Sequence, residues 1–245
     1  MFIGNDVVDL RDPEARPGAI HPRFPERVCA DDELCAIYRA ADPMRLLWAH
    51  WAAKESAFKA MRQLDPFVRF LPRRFRVELF PGCDGGTRYG LVRHAWHRAA
   101  VEIADCTDHL HAVARLLGPV SVAGGGRDTG RRGALTDDAD SENDSTYFWQ
   151  LTTRVRRFSP APYATRAPSA FGRFLLIRAV AERLGCAEHE VMIERGNERG
   201  APPRALVRGQ RTPIQLTLSH HGRLVAYALA VPRLAVSGSD LEAVH

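Results

Sequence analysis

The spacing of apolar residues changes along the first half of the chain. The stretch FIGNDVVDL at residues 2–10 is short and mainly apolar, which predicts a strand. DDELCAIYRA and PMRLLWAHWAAKESAFKAMRQL have helical spacing instead, and the second opens with a proline suited to a first helical turn. After Pro66, FRVELF, RYGLVRHA, AAVEIAD and HLHAVARL are typical of strands separated by turns. The pattern predicts helices followed by an antiparallel meander.

A second block repeats this plan. SAFGRFLLIRAVAERLG predicts a helix that ends at Gly185, and VMIERG, RALV, PIQLTLS and RLVAYALAV predict strands. The two blocks together predict an α+β fold with two similar lobes. Each lobe would consist of a long helix packed on a small antiparallel sheet, and a pseudo-twofold axis would relate the lobes across a cleft.

A polar segment separates the blocks. It contains GGGRDTGRRG and then TDDADSENDS, with almost nothing to bury, which is typical of a flexible linker. Its glycines do not have the GxGxxG spacing of a dinucleotide site. We therefore predict a first lobe at residues 1–118, a linker at 119–145, a second lobe at 146–235 and a frayed tail at 236–245.

Composition narrows the class of protein. The 245 residues are 45% hydrophobic and 26% charged, which excludes fibrous and wholly disordered chains. The five cysteines are scattered without a CxxC pair, which favours reduced thiols over zinc ligands. No apolar run is long enough for a membrane span, and Asp6 interrupts the apolar start. We expect a cytoplasmic protein without a membrane partner. Its net charge of +5 suits phosphate ligands, an acidic protein or nucleic acid.

Five charged residues in this first block are candidates for metal or phosphate binding. Glu55 and Lys59 are four residues apart on one helix, and by themselves they predict only a surface ion pair. Asp6 is less ordinary, because a carboxylate in an apolar strand is costly unless it is paired, hydrogen-bonded or bound to a cation. Asp6 with Glu55 would make a sparse magnesium site, with Lys54 and Lys59 left to meet phosphate oxygens. Asp9 is expected to support the adjoining loop or to assist the metal through water.

The second block has one comparable motif. Ser219 and His220 end a predicted strand just before Gly222, where hydroxyl, imidazole and backbone groups can converge on an anion. A serine hydrolase is disfavoured because no GxSxG elbow is present. His221 lacks a ligand partner at zinc spacing.

Together the motifs resemble those of a known family. IGNDVVDL, WAAKESAFK, LLIRAV, ERGAPP and TLSHHGRLVAYA are similar to segments of the 4′-phosphopantetheinyl transferases. Those enzymes transfer the phosphopantetheine arm of coenzyme A to a serine of an acyl or peptidyl carrier protein and release 3′,5′-ADP. The resemblance implies a magnesium-dependent transferase with coenzyme A as co-substrate and a carrier protein as partner.

The resemblance also implies roles for individual residues. Asp6 and Glu55 would be metal ligands, and Glu55, Lys59 and Lys54 would be catalytic. Ser219, His220, Arg178 and Lys54 would contact coenzyme A. Ala201 stands where the family usually has a lysine, so one phosphate contact is missing from the pattern. The base that deprotonates the carrier serine would be Glu55, a water molecule on the metal, or Lys59.

Two features depart from the family pattern. The next acid after Asp6 is Asp9, because Val8 stands where the larger members carry an acidic residue. That spacing is closer to the small holo-carrier-protein synthases, which are trimers. The lobe order is also reversed relative to the two-lobed monomeric members, as in a circular permutation or an independent fusion. Two complete lobes nevertheless predict a monomer.

Two other classes of function remain as alternatives. An inactive coenzyme A-binding regulator of the same fold would need Ser219, His220 and Arg178, but would have no use for both Asp6 and Glu55. A nucleic-acid binder rests on charge alone, and the aromatic residues sit mostly at core-like positions. The arginines after the second helix are expected to attract an acidic carrier protein. They are Arg62, Arg69, Arg73, Arg74 and Arg76.

Overall fold

The computed structural model describes residues 1–118, 147–158, 167–195 and 202–234. The predicted linker, the tail at 236–245 and Ala201 lie outside these residues. Within the described part, no helix has the length and apolar character needed to cross a membrane. We call residues 1–118 the first half and the described residues from 147 to 234 the second half.

The first half contains three helices and five strands. Their bounds are β1 (Ile3–Asp9), α1 (Phe24–Val28), α2 (Asp31–Arg39), α3 (Pro43–Leu64), β2 (Arg76–Pro81), β3 (Thr87–His94), β4 (His97–Asp105) and β5 (His109–Leu116). The strands form one antiparallel sheet in the order β1-β5-β4-β3-β2, and α3 packs against it. Asp42 caps α3 by accepting a hydrogen bond from the Arg45 backbone N–H at 2.9 Å, and Pro43 follows in the first turn.

The second half contains one helix and six strands among its described residues. Their bounds are β6 (Tyr147–Arg157), α4 (Ala167–Leu184), β7 (Val191–Arg195), β8 (Pro203–Val207), β9 (Gln210–Arg211), β10 (Gln215–His221) and β11 (Leu224–Leu234). They form two three-stranded antiparallel sheets, β10-β11-β6 and β7-β8-β9, and α4 packs on both. The helix ends as predicted before Gly185, whose φ of 65° suits a residue without a Cβ.

The predicted α+β class with antiparallel sheets is confirmed. The first strand pairs with the last in each half, β1 with β5 and β6 with β11. Two features were not expected: the second half has two small sheets instead of one, and β6 was missed. The β6 sequence carries three arginines and directly follows the polar segment, so its apolar alternation was hidden.

Strand β1 lies between α3 and the second half and is buried along its whole length. Side chains alternate along a strand, so successive residues of β1 face different partners. Val8 packs in the core beneath α3, whereas Val7 packs against Leu224 and Ala226 of β11. This position lets one short strand carry polar groups toward both halves of the molecule.

Candidate active site

Gly4 permits an unusually close approach of β1 to α3. A Cβ atom at this position would lie 2.0 Å from the Ser56 carbonyl oxygen and 2.7 Å from the Ala60 backbone nitrogen. Both are backbone atoms, so no side-chain movement could make room for a larger residue. The close packing brings the next residue on the same face, Asp6, to the α3 side chains of Glu55 and Lys59.

These three side chains form one charged cluster. Lys59 Nζ lies 2.9 Å from Asp6 Oδ1 and 3.4 Å from Glu55 Oε2, and it also donates to the Asn5 carbonyl oxygen at 3.0 Å. The Asp6 and Glu55 carboxyl groups hydrogen-bond each other. The Asp6 side chain is 7% exposed, whereas Glu55 and Lys59 are 28% and 29% exposed. The cluster is therefore open to a ligand from the α3 side.

The protonation states follow from this geometry. Burial raises the pKa of Asp6 well above its usual range, and the neighbouring Glu55 charge raises it further, against the influence of Lys59. Burial alone would also raise the pKa of Glu55, but Lys59 and the hydrogen bond from Asp6 outweigh it and lower that pKa. Burial opposes the charge on Lys59, yet both carboxyl groups raise its pKa. The two carboxyl groups thus share a proton beside a charged lysine.

This donor set fits a magnesium ion. Two adjacent carboxylates with only one ammonium group carry excess negative charge, which a divalent cation would balance in place of the shared proton. Magnesium takes one or two protein carboxylates and fills its other positions with water and phosphate oxygens. The described residues contain no larger group of His, Cys, Asp or Glu that could hold a metal. Asp6 and Glu55 are therefore the residues that would hold it.

A cavity of about 280 Å³ adjoins Lys59 between the two halves. Its apolar wall is formed by Phe58, Leu218 and two consecutive prolines. Its polar wall is formed by Thr217 and by the polar residues of α3. The lining residues are Phe58, Lys59, Arg62, Gln63, Pro202, Pro203, Thr217 and Leu218. The two prolines end the ERGAPP segment singled out in the sequence, and the structure brings these two residues next to Lys59.

The Ser-His motif lies on β10, beside β1. Ser219 is buried, and its Oγ accepts a hydrogen bond from Asn5 Nδ2 at 3.2 Å. His220 is exposed, and by strand alternation it points away from Ser219. His221 returns to the β1 side, where its Nδ1 accepts from the Asp9 backbone N–H at 3.1 Å. Ser219 therefore contacts the residue directly before Asp6, while His220 lies on the other face of the strand.

Asp9 supports loops at the far end of β1. Its Oδ1 accepts from the Arg11 backbone N–H at 2.9 Å, and its Oδ2 accepts from the Arg223 backbone N–H at 3.2 Å. Arg223 follows Gly222 in the turn between β10 and β11, where φ is 52°. Of the two roles considered for Asp9, these contacts account for loop support.

Lys54 lies away from the charged cluster, although it directly precedes Glu55. It is fully buried, and its Nζ donates to Glu33 Oε2 at 2.6 Å, to the Val28 carbonyl at 2.8 Å and to the Pro72 carbonyl at 3.2 Å. An ammonium group has three hydrogens, and all three are used. The structure does not bring Lys54 to Asp6, and its contacts account for a role in holding helices and loops together.

Arg178 is also distant from the charged cluster. It is 59% exposed on α4, pairs with Glu188 at 3.3 Å and lies over the Phe174 ring. It lines a cavity of about 140 Å³ with Arg154, Arg156 and other residues of the second half. A role in nucleotide binding stays a prediction for this residue.

The expected basic surface is only partly available to a partner. Arg73 and Arg76 form ion pairs with Asp31 and Asp32 of α2 at 2.7 and 2.6 Å. Arg62 lines the cavity beside Lys59. The acidic start of α2 therefore occupies two of the five arginines that the sequence grouped together.

Sequence reasoning missed Asn5, Thr217 and His111. All three are buried where β1 meets β10 and β5, and Asn5 hydrogen-bonds both Thr217 and His111. Asn5 has low strand propensity yet stands in the middle of an apolar strand, and that mismatch was the available signal.

Comparison with known proteins agrees with the motif resemblance. Residues 2–112 match the family model described as the 4′-phosphopantetheinyl transferase superfamily. This range contains Asp6, Lys54, Glu55 and Lys59, whereas the Ser-His motif lies beyond it. No curated protein sequence matches the chain.

Proposed function

Because residues 2–112 match the family model of the 4′-phosphopantetheinyl transferase superfamily, we propose that this chain transfers the 4′-phosphopantetheine arm of coenzyme A to a serine of an acyl or peptidyl carrier protein. The observation that carries the proposal is the cluster of Asp6, Glu55 and Lys59 beside a cavity between the halves. A carboxyl pair with one buried member, next to a charged lysine, is costly for stability alone, and it suits a bound pyrophosphate with a divalent cation.

Each residue of the cluster has a distinct role. Asp6 and Glu55 would hold Mg²⁺, which when bound neutralises charge on the pyrophosphate of coenzyme A. Lys59 donates to phosphate oxygens and stabilises the negative charge that gathers on the departing 3′,5′-ADP. Its raised pKa supports this cationic role over that of a base.

The bond changes balance with the groups present. The carrier serine oxygen forms a bond to the phosphorus that bears the pantetheine arm, and the bond from this phosphorus to 3′,5′-ADP breaks. Glu55 can accept the serine proton, because its lowered pKa keeps it ionised and its side chain is partly exposed. Burial and the Glu55 charge keep the Asp6 pKa high, which makes Asp6 the weaker candidate.

The second half would supply the remaining contacts to coenzyme A. Ser219 is hydrogen-bonded to Asn5, and the two residues before it, Thr217 and Leu218, line the cavity. His220 is included on the strength of the resemblance, whereas Arg178, which is exposed and paired with Glu188, would be at most a weak contact. Since one chain supplies both parts of the site, we propose that the enzyme acts as a monomer. We also propose that it is cytoplasmic.

An inactive coenzyme A-binding regulator is the second candidate. It would need the Ser219 side of the site but would gain nothing from the carboxyl pair of Asp6 and Glu55. The arrangement of Asp6, Glu55 and Lys59 in one partly open charged cluster therefore favours the enzyme.

Intact-mass spectrometry of carrier proteins tests the proposal. A panel of apo carrier proteins would be incubated with coenzyme A, Mg²⁺ and either the wild-type chain or Glu55→Gln. We expect one class of carrier to gain the mass of phosphopantetheine with the wild type only. If coenzyme A binds but no carrier gains mass, the regulator replaces the enzyme.

A further inference from the structure

Asn5 is a fully buried polar residue between Gly4 and Asp6. Asp6 faces α3, so the Asn5 side chain points the other way, toward β10 of the second half. Its amide contacts Thr217, Ser219 and His111, and its backbone carbonyl accepts from Lys59. A single residue therefore contacts both the charged cluster and the Ser-His strand.

The hydrogen bonds fix the orientation of the amide. Thr217 Oγ1 accepts from the Asn5 backbone N–H at 3.3 Å, so its own proton is free to be donated to Asn5 Oδ1 at 2.9 Å. The Asn5 nitrogen Nδ2 must then be the atom that faces Ser219 Oγ and His111 Nε2, each at 3.2 Å. An NH₂ group only donates, so both of these atoms are acceptors.

This arrangement determines what Ser219 can do. Its oxygen is held by the Asn5 amide, while none of the described residues accepts the proton of its hydroxyl group. A hydroxyl group that accepts from a fixed donor must direct its own proton elsewhere. Ser219 thereby has a proton to donate to a ligand, and it directly follows Thr217 and Leu218, which line the cavity.

Asn5 has a second effect through its backbone. The carbonyl oxygen accepts from Lys59 Nζ at 3.0 Å, close to the 2.9 Å contact of Lys59 with Asp6. The position of the β1 backbone at Asn5 thus helps to hold Lys59 over the carboxyl pair. Any shift of this residue would move the Lys59 and Ser219 contacts together.

Resting on the function proposed above, we propose that Asn5 is a positioning residue that aligns Ser219 as a hydrogen-bond donor to coenzyme A and couples that contact to the cluster at Lys59. The ligand chemistry is a phosphate oxygen, because a serine hydroxyl that must donate matches an acceptor-only group.

A double-mutant cycle in coenzyme A binding tests this inference. The dissociation constant would be measured by calorimetry with Mg²⁺ for the wild type, Asn5→Ala, Ser219→Ala and the double variant. We expect about tenfold weaker binding for Ser219→Ala and about three- to tenfold for Asn5→Ala. The double variant should bind no more weakly than Ser219→Ala, because Asn5 acts through Ser219.

His111→Leu is the matched control for lost stability. It removes the other acceptor of Asn5 Nδ2 but leaves Ser219 and Thr217 in place. Its affinity for coenzyme A should stay within about twofold of the wild type. Should Asn5→Ala not fold, Asn5→Ser retains a polar group that is one bond shorter than the amide and takes its place.

Three results would overturn the inference. Additive losses in the cycle would show that Asn5 and Ser219 act independently, and an equal loss in His111→Leu would point to destabilisation alone. Both leave the proposed function intact. A wild-type chain that does not bind coenzyme A would instead overturn the proposed function together with this inference.

Discussion

Lys54 and Lys59 are five residues apart on α3, and their surroundings differ in a way that separates structure from chemistry. Lys54 is fully buried, and each hydrogen of its ammonium group has a fixed acceptor. Lys59 is partly exposed, contacts two carboxyl groups that share a proton, and borders a cavity. A buried ammonium group whose hydrogens all have acceptors serves to hold the fold together. A partly exposed cluster with more carboxyl groups than ammonium groups can instead bind a ligand.

The partner of each lysine shows the same contrast. Glu33, which pairs with Lys54, also accepts from the Ala30 and Val77 backbone N–H groups at 2.7 and 2.8 Å. Its carboxylate is thus surrounded by fixed donors. Among the described residues, the Asp6 side chain contacts Lys59 and Glu55, and burial raises its pKa well above the usual range. Glu33 needs no ligand, while Asp6 gains from one.

The largest expected effect is on stability at Lys54. Lys54→Met should lower the free energy of unfolding by about 3–5 kcal/mol, because Glu33 would be left as a buried charge without its partner. Urea denaturation followed by circular dichroism measures this change. Lys59→Met is the matched control, and it should change stability by about 1 kcal/mol or less. Equal losses in the two variants would remove the distinction between the lysines.

The next effect is on catalysis at Lys59. Lys59→Met should lower the rate of carrier modification by about 100-fold, since a cation that stabilises the leaving phosphate is lost. The rate is measured by intact mass at a temperature where both variants are folded. Lys54→Met should retain most of its activity per folded molecule. A 100-fold loss in Lys54→Met would return that residue to the catalytic group.

A smaller effect should appear in the way the free energy of unfolding depends on pH, and we expect it from His111. Burial, with smaller contributions from the charges of His109 and Lys59, lowers the pKa of His111 to about 4, against 6.5 in an unfolded chain. Between these values the unfolded state binds a proton that the folded state does not, so stability falls as the pH falls. We expect His111 to account for about 2 kcal/mol between pH 7 and pH 5.

Denaturation of His111→Leu at the two pH values measures this contribution. The variant should be less stable than the wild type at pH 7, because an acceptor of Asn5 is lost, but its stability should fall less on acidification. Parallel pH profiles for the two proteins would show that His111 is not held neutral in the folded state.

The smallest effect is expected at Arg178. Its side chain is 59% exposed, and its guanidinium is paired with Glu188. Arg178→Ala should therefore change the affinity for coenzyme A by less than about threefold. Calorimetry against Ser219→Ala measures the difference, and a tenfold loss at Arg178 would extend the coenzyme A site to α4.

The sequence predicted the charged cluster at Lys59, but it did not predict that Lys54 lies apart from that cluster. The helical spacing of Glu55 and Lys59 and the odd carboxylate at Asp6 predicted a charged cluster, because local periodicity determines which face a residue occupies. Lys54 could not be separated from Lys59 in this way. Its partner Glu33 is 21 positions away in the sequence, and only the packing of α2 on α3 brings the two together.

The strand β1 shows a second limit. Its short, mainly apolar run located it correctly, yet the pattern could not show which parts of the molecule would cover each face. Asn5 was missed for this reason. Its partners Thr217 and Ser219 lie more than 200 residues away, in a half whose order along the chain gives no indication of its position in space.

The central claim is that the carboxyl pair beside Lys59, and not the carboxylate beside Lys54, holds magnesium for coenzyme A. Calorimetry of coenzyme A binding with and without Mg²⁺ tests it in the wild type, Asp6→Asn and Glu33→Gln. Magnesium should strengthen binding by about tenfold or more in the wild type and in Glu33→Gln, and should have no effect in Asp6→Asn. The same magnesium dependence in Asp6→Asn and the wild type would contradict the account.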